Sequence, residues 1–455
     1  MNSSLQFLGG AGTVTGSKHL LQIDHKKILI DCGLFQGVKD QRLMNWLPLP
    51  LDASTIDAVA LTHAHLDHTG YLPLLLKQGF KGPIYCSAPT AELTKVILLD
   101  AAKIQEEDAE QNNQGGYSKH KPALPLFRVS DAEAVFRLFH ILEADHWHSI
   151  LADSAKVKLT NSGHILGSTF IELKTKEKLF VFSGDIGREH PITLKPRVAL
   201  PEADILLIES TYGDRCHSKE SAADNLARII QDTLRLSGTV LIPSFAIGRT
   251  QDILHLLAQL KNKNQIPDVP IYVDSPMADK ATALFDRFPH WHSLSSPDLQ
   301  RLSATYQHVS GIQHSMALCQ SKEPAIILAG SGMLNGGRIK RHLFSRLAFE
   351  KNTVLLVGYQ ASGTLGRFLR EGAEEAKLFG KYIPVRARIA EISSLSAHAD
   401  QLEILDWIAG FTKMPKQIFI VHGEEHASEG LRVRITDRFG IVPHIAKLGE
   451  TVKLS

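Results

Sequence analysis

Apolar positions along this chain follow two rhythms. From Leu5 to Cys32, short apolar runs (HLLQI, KILID) alternate with brief polar turns and predict adjacent strands of one sheet. IDAVALT, Ile56 to Thr62, predicts a buried strand, and Pro89 to Gln114 carries apolar residues at helical spacing beside a charged face. Lys156 to Gly187 predicts three strands joined by two polar turns, and ADILLIES, Ala203 to Ser210, predicts one more buried strand.

The rhythm changes after Tyr212. GTVLIPS precedes a helix from Arg249, PIYVDS a helix from Met277, AIILAGS a helix from Gly337, and TVLLVGY a helix near Leu365. Repeated strand–loop–helix units imply a parallel sheet with helices on its faces. From Arg386 the chain returns to strands, RARIAEIS and KQIFIVHG, which are expected to rejoin the first sheet. The organisation is thus one α/β domain inserted into another: residues 1–210 and 386–455 form the host, and 211–385 the insert. The crossings fall near Tyr212–Asp214 and Ile383–Arg386; there are no repeats and no low-complexity linkers.

One turn carries an unusual density of ligand-type side chains. LTHAHLDHTG, Leu61 to Gly70, holds His63, His65, Asp67 and His68 directly after a predicted strand. Imidazole nitrogen and carboxylate oxygen suit borderline metals such as Zn²⁺. In an extended turn His63 and His65 point to one side, because side chains alternate. Asp67 and His68 follow a reversal and face a second position nearby, with a helix opening at His68. Four ligands cannot fill two metals, so others must come from elsewhere. His164 in NSGHILGS, Asp185 in FSGDIG and His422 in IVHGEE share the context of a strand end or an adjoining Gly-rich turn. Asp185 is suited to bridge, since a carboxylate has two oxygens. Asp31, ending ILID, is suited to accept the N–H of a ligand imidazole.

These residues resemble the metallo-β-lactamase superfamily: THAHLDH, His164, Asp185 and ILIDCG carry the likeness. ESTYG (Glu209 to Gly213), SAHAD (Ser396 to Asp400) and VHGEE (Val421 to Glu425) are similar to further motifs of the β-CASP nucleases. The resemblance spans essentially the whole chain and points to stand-alone bacterial and archaeal relatives of the mRNA 3′-end cleavage endonuclease. It implies an αββα sandwich with an inserted parallel-sheet α/β (β-CASP) domain. It implies two Zn²⁺ per chain, with Mn²⁺ as an alternative: His63, His65 and His164 on the first, Asp67, His68 and His422 on the second, and Asp185 bridging. His398 would be the general acid and Glu209 its orienting partner, with Asp67 also in the catalytic set. Histidine at the position of His422 is the pattern of RNA-processing members. Two metals about 3.5–4 Å apart clamp a phosphodiester and make hydroxide available near neutral pH. Attack at phosphorus, with His398 protonating the leaving 3′-oxygen, yields a 5′-phosphate and a 3′-hydroxyl.

Three strand-to-helix loops of the insert, PSFAIGR, AGSGMLNGGR and GYQASGT, line one edge of a parallel sheet, where ligands bind. Gly-rich turns before helix N-termini favour anions. Arg249, Ser331, Gly332 and Arg338 are therefore the candidates for RNA phosphate contacts, in a positive groove between the domains. GxxxxGK[ST] is absent, so nucleotide hydrolysis is not indicated.

Composition adds limits. Hydrophobic residues make up 44% and charged residues 22%, as in globular proteins, and the net charge is only +2, so any positive surface is local. Aromatic residues are 7%, with no recognisable RNA-stacking module. No long apolar run, no signal-peptide pattern and four scattered cysteines lead to the expectation of a cytoplasmic protein without a membrane partner. The expected function is a zinc-dependent endoribonuclease for single-stranded RNA, with a homodimer allowed. The chain ends in TVKLS soon after His422, without the C-terminal extension usual in ribonuclease J-like 5′-exonucleases. A 5′–3′ exoribonuclease is the next reading, then a small-molecule hydrolase of the same superfamily. A non-catalytic RNA scaffold would require lost ligands, and none is missing.

Overall fold

Strands with apolar residues at successive positions need cover on both faces, and this chain supplies it. The computed structural model describes residues 3–115 and 120–454. It forms two units, Met1–Pro191 with Lys195–Cys216 and His398–Ser455, and Ile192–Leu194 with His217–Ala397.

The first unit contains two seven-stranded sheets. One runs in the order Thr451–Leu454, Ser3–Gly9, Lys18–Ile23, Lys26–Ile30, Ala58–Ala60, Ile84–Cys86, Phe139–Ile141. The other runs His444–Ile445, Gln417–Val421, Ile205–Glu209, Leu179–Phe182, Thr169–Lys174, Ala155–Asn161, His148–Ile150. Leu5, Leu21, Ile23 and Ile28 of the first sheet meet Leu159, Ile171, Leu173, Phe180 and Phe182 of the second in a shared core. Alternate residues point outward under helices. Leu20, Leu29 and Val59 pack with Leu72, Leu75 and Leu98. Phe170, Val181 and Leu206 pack with Ile404, Trp407, Leu431 and Ile435. This is the expected αββα sandwich.

Strand direction matters for chemistry. Lys26–Ile30, Ala58–Ala60 and Ile84–Cys86 are parallel. So are Leu179–Phe182, Ile205–Glu209 and Gln417–Val421. Ala155–Asn161 is antiparallel to Thr169–Lys174, which is antiparallel to Leu179–Phe182, so its C-terminal end joins theirs. Loops leaving these ends emerge together.

The second unit has a six-stranded, all-parallel sheet in the order Gln307–His308, Ile271–Asp274, Ile326–Ala329, Val240–Pro243, Thr353–Leu356, Arg388–Glu391. Its helices include Arg249–Asn262, Pro276–Arg287, Ile339–Arg346 and Leu365–Arg370, close to the expected starts. A separate hairpin joins Glu375–Leu378 to Lys381–Pro384. One expectation is corrected. RARIAEIS does not rejoin the first sheet: Arg388–Glu391 pairs with Thr353–Leu356, and Ile392 and Leu395 enter the same core as Leu355 and Val357. Burial of those side chains keeps the chain in the second unit until Ala397, and the outward crossing falls after Cys216 rather than at residue 210. Among the described residues, no helix is long and apolar enough to cross a membrane.

Phe180 is 1% exposed and lies between the sheets. Phe180→Ala is expected to cost about 3–5 kcal/mol of stability, read as a lowered urea midpoint. A midpoint unchanged from wild type would contradict the assigned packing.

Candidate metal centre

The candidate ligands occupy the loops at the shared strand ends. Asp31 directly follows Lys26–Ile30, and His422 directly follows Gln417–Val421. Both have left-handed backbones, φ +58° and +50°. Such conformations cost non-glycine residues about 1–3 kcal/mol and concentrate at functional sites. Gly184, φ +49°, makes the corresponding turn after Leu179–Phe182 without that cost, delivering Asp185. His65 caps a short helix, Leu66–Thr69, so helix starts one residue before Asp67 rather than at His68. Gly33 allows that helix to approach: a Cβ there would lie 1.5 Å from the Asp67 carbonyl oxygen.

His63, His65, His164 and Asp185 converge. His63 Nε2 is 3.0 Å from His65 Nδ1, which is 3.3 Å from His164 Nε2. Asp185 Oδ2 lies 3.3 Å from His63 Nε2 and 3.2 Å from His164 Nε2. Asp67, His68 and His422 form a second group. His68 Nε2 is 3.2 Å from His422 Nε2, and Asp67 Oδ2 is 3.5 Å from the latter. Asp185 Oδ1 lies 3.3 Å from His68 Nε2, so one carboxylate faces both groups.

These groups suit divalent cations. Ligands about 2.0–2.1 Å from a tetrahedral metal stand roughly 3.4 Å apart, close to the spacings above. Among the described residues, buried Asp185 Oδ1 has no hydrogen-bond partner, a costly arrangement unless a cation faces it. The titration directions agree. Burial holds His65 at about 3 and His164 well below the ordinary histidine range, keeping them neutral. Burial opposes charge on His68 too, but Asp185 and Asp31 outweigh it and raise its pKa well above normal. Burial likewise disfavours the Asp67 and Asp185 carboxylates, yet the surrounding imidazoles hold both below the usual range. The pocket is built to stabilise positive charge between its carboxylates.

Outer contacts aim the rings. Asp31 accepts the Thr62 N–H and hydroxyl, each at 2.8 Å, and the His68 Nδ1–H at 2.8 Å. With its proton given to Asp31, the Thr62 hydroxyl accepts from His63 Nδ1 at 3.0 Å. Thr211 Oγ1 stands 3.1 Å from His422 Nδ1 and reaches the His422 carbonyl at 3.3 Å. Each arrangement leaves Nε2 as the lone-pair donor. Sequence reasoning found Asp31 but missed Thr62 and Thr211; their positions at the start of THAHLDH and within ESTYG were the available signal.

His398 and Glu209 meet beside this pocket. His398 Nδ1 is 3.1 Å from both Glu209 oxygens, and its Nε2 is 3.9 Å from Asp185 Oδ2. Glu209 is fully buried and accepts the Ile186 N–H at 2.6 Å. Burial works against a charged His398, but Glu209 and Asp185 prevail and raise its pKa to about 9.

The four residues expected to touch phosphate lie in the second unit. Arg249 is 6% exposed and pairs with buried Asp252 at 2.9 Å. Arg338 pairs with buried Asp274 at 2.6 Å and donates to the Val309 carbonyl. Both guanidiniums pair with carboxylates of their own unit. Gly332 packs against the Phe245 ring, and Ser331 is half-buried.

Donors of this kind, gathered at the loop ends of an αββα sandwich, define a metal-dependent hydrolase. Comparison with known proteins gives the family. The metallo-β-lactamase superfamily domain matches residues 20–195, the β-CASP domain residues 250–369, and the Zn-dependent metallo-hydrolase RNA specificity domain residues 382–446. Ribonuclease TTHA0252 of Thermus thermophilus is 36% identical over 452 residues, covering 98% of each chain. Transcription termination factor FttA of Methanocaldococcus jannaschii is 32% identical, over 92% of this chain and 67% of that protein. FttA of Thermococcus kodakarensis is 33% identical, over 95% of this chain and 68% of that protein. A solved structure of a protein of unknown function from Enterococcus faecalis V583 shares the fold, with a TM-score of 0.54 at 13% identity over 100% of both chains. The chain belongs to the β-CASP branch of the metallo-β-lactamase superfamily.

Asp31→Ala removes the acceptor for His68 and Thr62, and is expected to weaken metal affinity about 10–100-fold. Competition with a chromophoric chelator measures this; wild-type affinity in the variant would contradict the role given to Asp31.

Proposed function

We infer that the protein is a zinc-dependent endoribonuclease acting on single-stranded RNA. One observation carries the reading: His398, held by buried Glu209, presents Nε2 beside two groups of metal-type ligands that share Asp185. The RNA assignment draws support from the relatives named as ribonuclease and termination factors and from the RNA specificity domain.

His63, His65 and His164 would hold one metal ion and Asp67, His68 and His422 the other, with Asp185 touching both. Bound there, the ions supply charge neutralisation at a phosphodiester and acidify water. Asp31, Thr62 and Thr211 keep the imidazoles in the ligating tautomer. Glu209 takes the Nδ1–H of His398, fixing the ring and favouring its protonated form. Held in this way, His398 would offer a proton from Nε2 to the leaving 3′-oxygen. A 5′-phosphate and a 3′-hydroxyl result. Nothing in these contacts requires a 2′-hydroxyl, so selection of RNA falls to binding outside the chemistry.

The test uses single-stranded RNA and DNA of one sequence, labelled at the 5′ end or internally. Internal RNA fragments should appear, disappear with a chelator, and return with Zn²⁺. Mononucleotides released from the 5′ end would replace the endonuclease with an exonuclease, and chelator-resistant cleavage would remove the metal from the account. His398→Ala should lower kcat by about 10²–10⁴-fold at unchanged metal content. A variant as fast as wild type would exclude His398 as the acid.

A further inference from the structure

The second unit carries an exposed aromatic and basic ribbon that the metal chemistry leaves unused. Strands Glu375–Leu378 and Lys381–Pro384 pair antiparallel, with Lys377 opposite Tyr382 and Leu378 opposite Lys381. Only Phe379 and Gly380 remain to make the turn. One face of the hairpin is anchored: Ala376 and Leu378 are buried with Leu343 and Leu347. The rest projects into solvent. Phe379 is 61% exposed and Tyr382 66%, and Phe344, from the helix Ile339–Arg346, is 38% exposed. The Phe344 and Phe379 rings meet edge-on, centroids 5.8 Å apart.

The turn is chemically costly. Phe379 has φ +50° and Gly380 φ +77°. A two-residue hairpin loop with both φ values positive is served best by Asn-Gly or Asp-Gly. A bulky aromatic in the first position is strained. Folding gains little from it, because the ring is exposed. A strained residue whose side chain meets solvent is better explained by what binds it than by what it packs against.

Charge identifies the occupant. Between residues 376 and 390 the chain has Lys377, Lys381, Arg386 and Arg388 and no carboxylate. Arg388 stands 3.4 Å from Asp232, but among the described residues Lys377, Lys381 and Arg386 have no carboxylate partner. Lys377 Nζ sits 5.5 Å from the Tyr382 ring centroid. Glu374 and Glu375 lie at the open end of the ribbon, away from the turn. Aromatic faces interleaved with unneutralised cations are the chemistry that binds single-stranded nucleic acid: bases stack on the rings and cations follow the backbone.

We propose that the hairpin 375–384, with Phe344, is a stacking platform for single-stranded RNA, engaging bases through Phe379 and Tyr382 and phosphates through Lys377, Lys381 and Arg386. The choice of RNA rests on the ribonuclease reading; the platform itself does not require turnover. It supplies cationic contacts beyond Arg249 and Arg338, which pair with carboxylates of their own unit.

The test measures binding of a fluorescent single-stranded RNA to the full-length, chelator-treated protein, at low and at physiological salt. Tyr382→Ala and Phe379→Asn should each weaken binding about fivefold or more. Phe379→Asn places a preferred residue in the turn, so its melting temperature should equal or exceed wild type while affinity falls. Phe379→Trp, which keeps an aromatic face, should bind like wild type. In the metal-loaded enzyme the same losses should appear in KM, with kcat at saturating RNA unchanged. Unchanged affinity in Phe379→Asn and Tyr382→Ala overturns the proposal, as does equal loss in Phe379→Trp. Failure of the wild type to bind RNA overturns it too, as does a protein partner lost on mutation while RNA affinity holds. If wild type binds RNA and the variants do not, yet none cleaves it, the platform stands and the nuclease reading falls.

Discussion

The first unit is organised around one electrostatic problem: five imidazoles and two carboxylates whose donor atoms crowd together in a buried pocket. Neighbouring lone pairs at 3.0–3.3 Å repel, and a buried carboxylate oxygen without a donor is expensive. Positive charge between them removes both penalties. Asp185 is the pivot, because its two oxygens face different groups of histidines. Asp31 sets the geometry from behind by taking the His68 proton and both donors of Thr62. The sandwich provides what this requires, several strands ending on one side.

Much of this was legible in the chain. His63 and His65 converge as the alternation of an extended turn dictates, and His164, Asp185 and His422 stand at strand ends or adjoining turns, as their flanking apolar runs indicated. Left-handed φ at Asp31 and His422 was not legible, because nothing in ILIDCG or IVHGEE distinguishes a turn residue from a strained one. Thr62 and Thr211 were hidden for a different reason. A hydroxyl that relays a hydrogen bond leaves no periodic or compositional mark.

The second unit shows where pattern reading fails. RARIAEIS alternates as any strand does, and periodicity carries no information about which sheet will accept it. Packing decided, through Ile392 and Leu395. Arg249 and Arg338 stand at the starts of helices that follow parallel strands, but the carboxylates that pair with them, Asp252 and Asp274, are distinguished only by burial. KLFGKY, by contrast, was present throughout; its aromatic residues gained meaning only when the register exposed them on one ribbon beside unpaired lysines.

The proposed division of labour assigns chemistry to the first unit and part of substrate binding to the second. Its foundation is the proposal that the histidine–aspartate pocket holds two divalent ions through Asp185. Metal content per chain by mass spectrometry, for wild type and for Asp185→Asn purified without chelator, tests this directly. The account predicts two ions in wild type and fewer than one in a folded Asp185→Asn; two ions retained by Asp185→Asn, or none in wild type supplied with Zn²⁺, would contradict it.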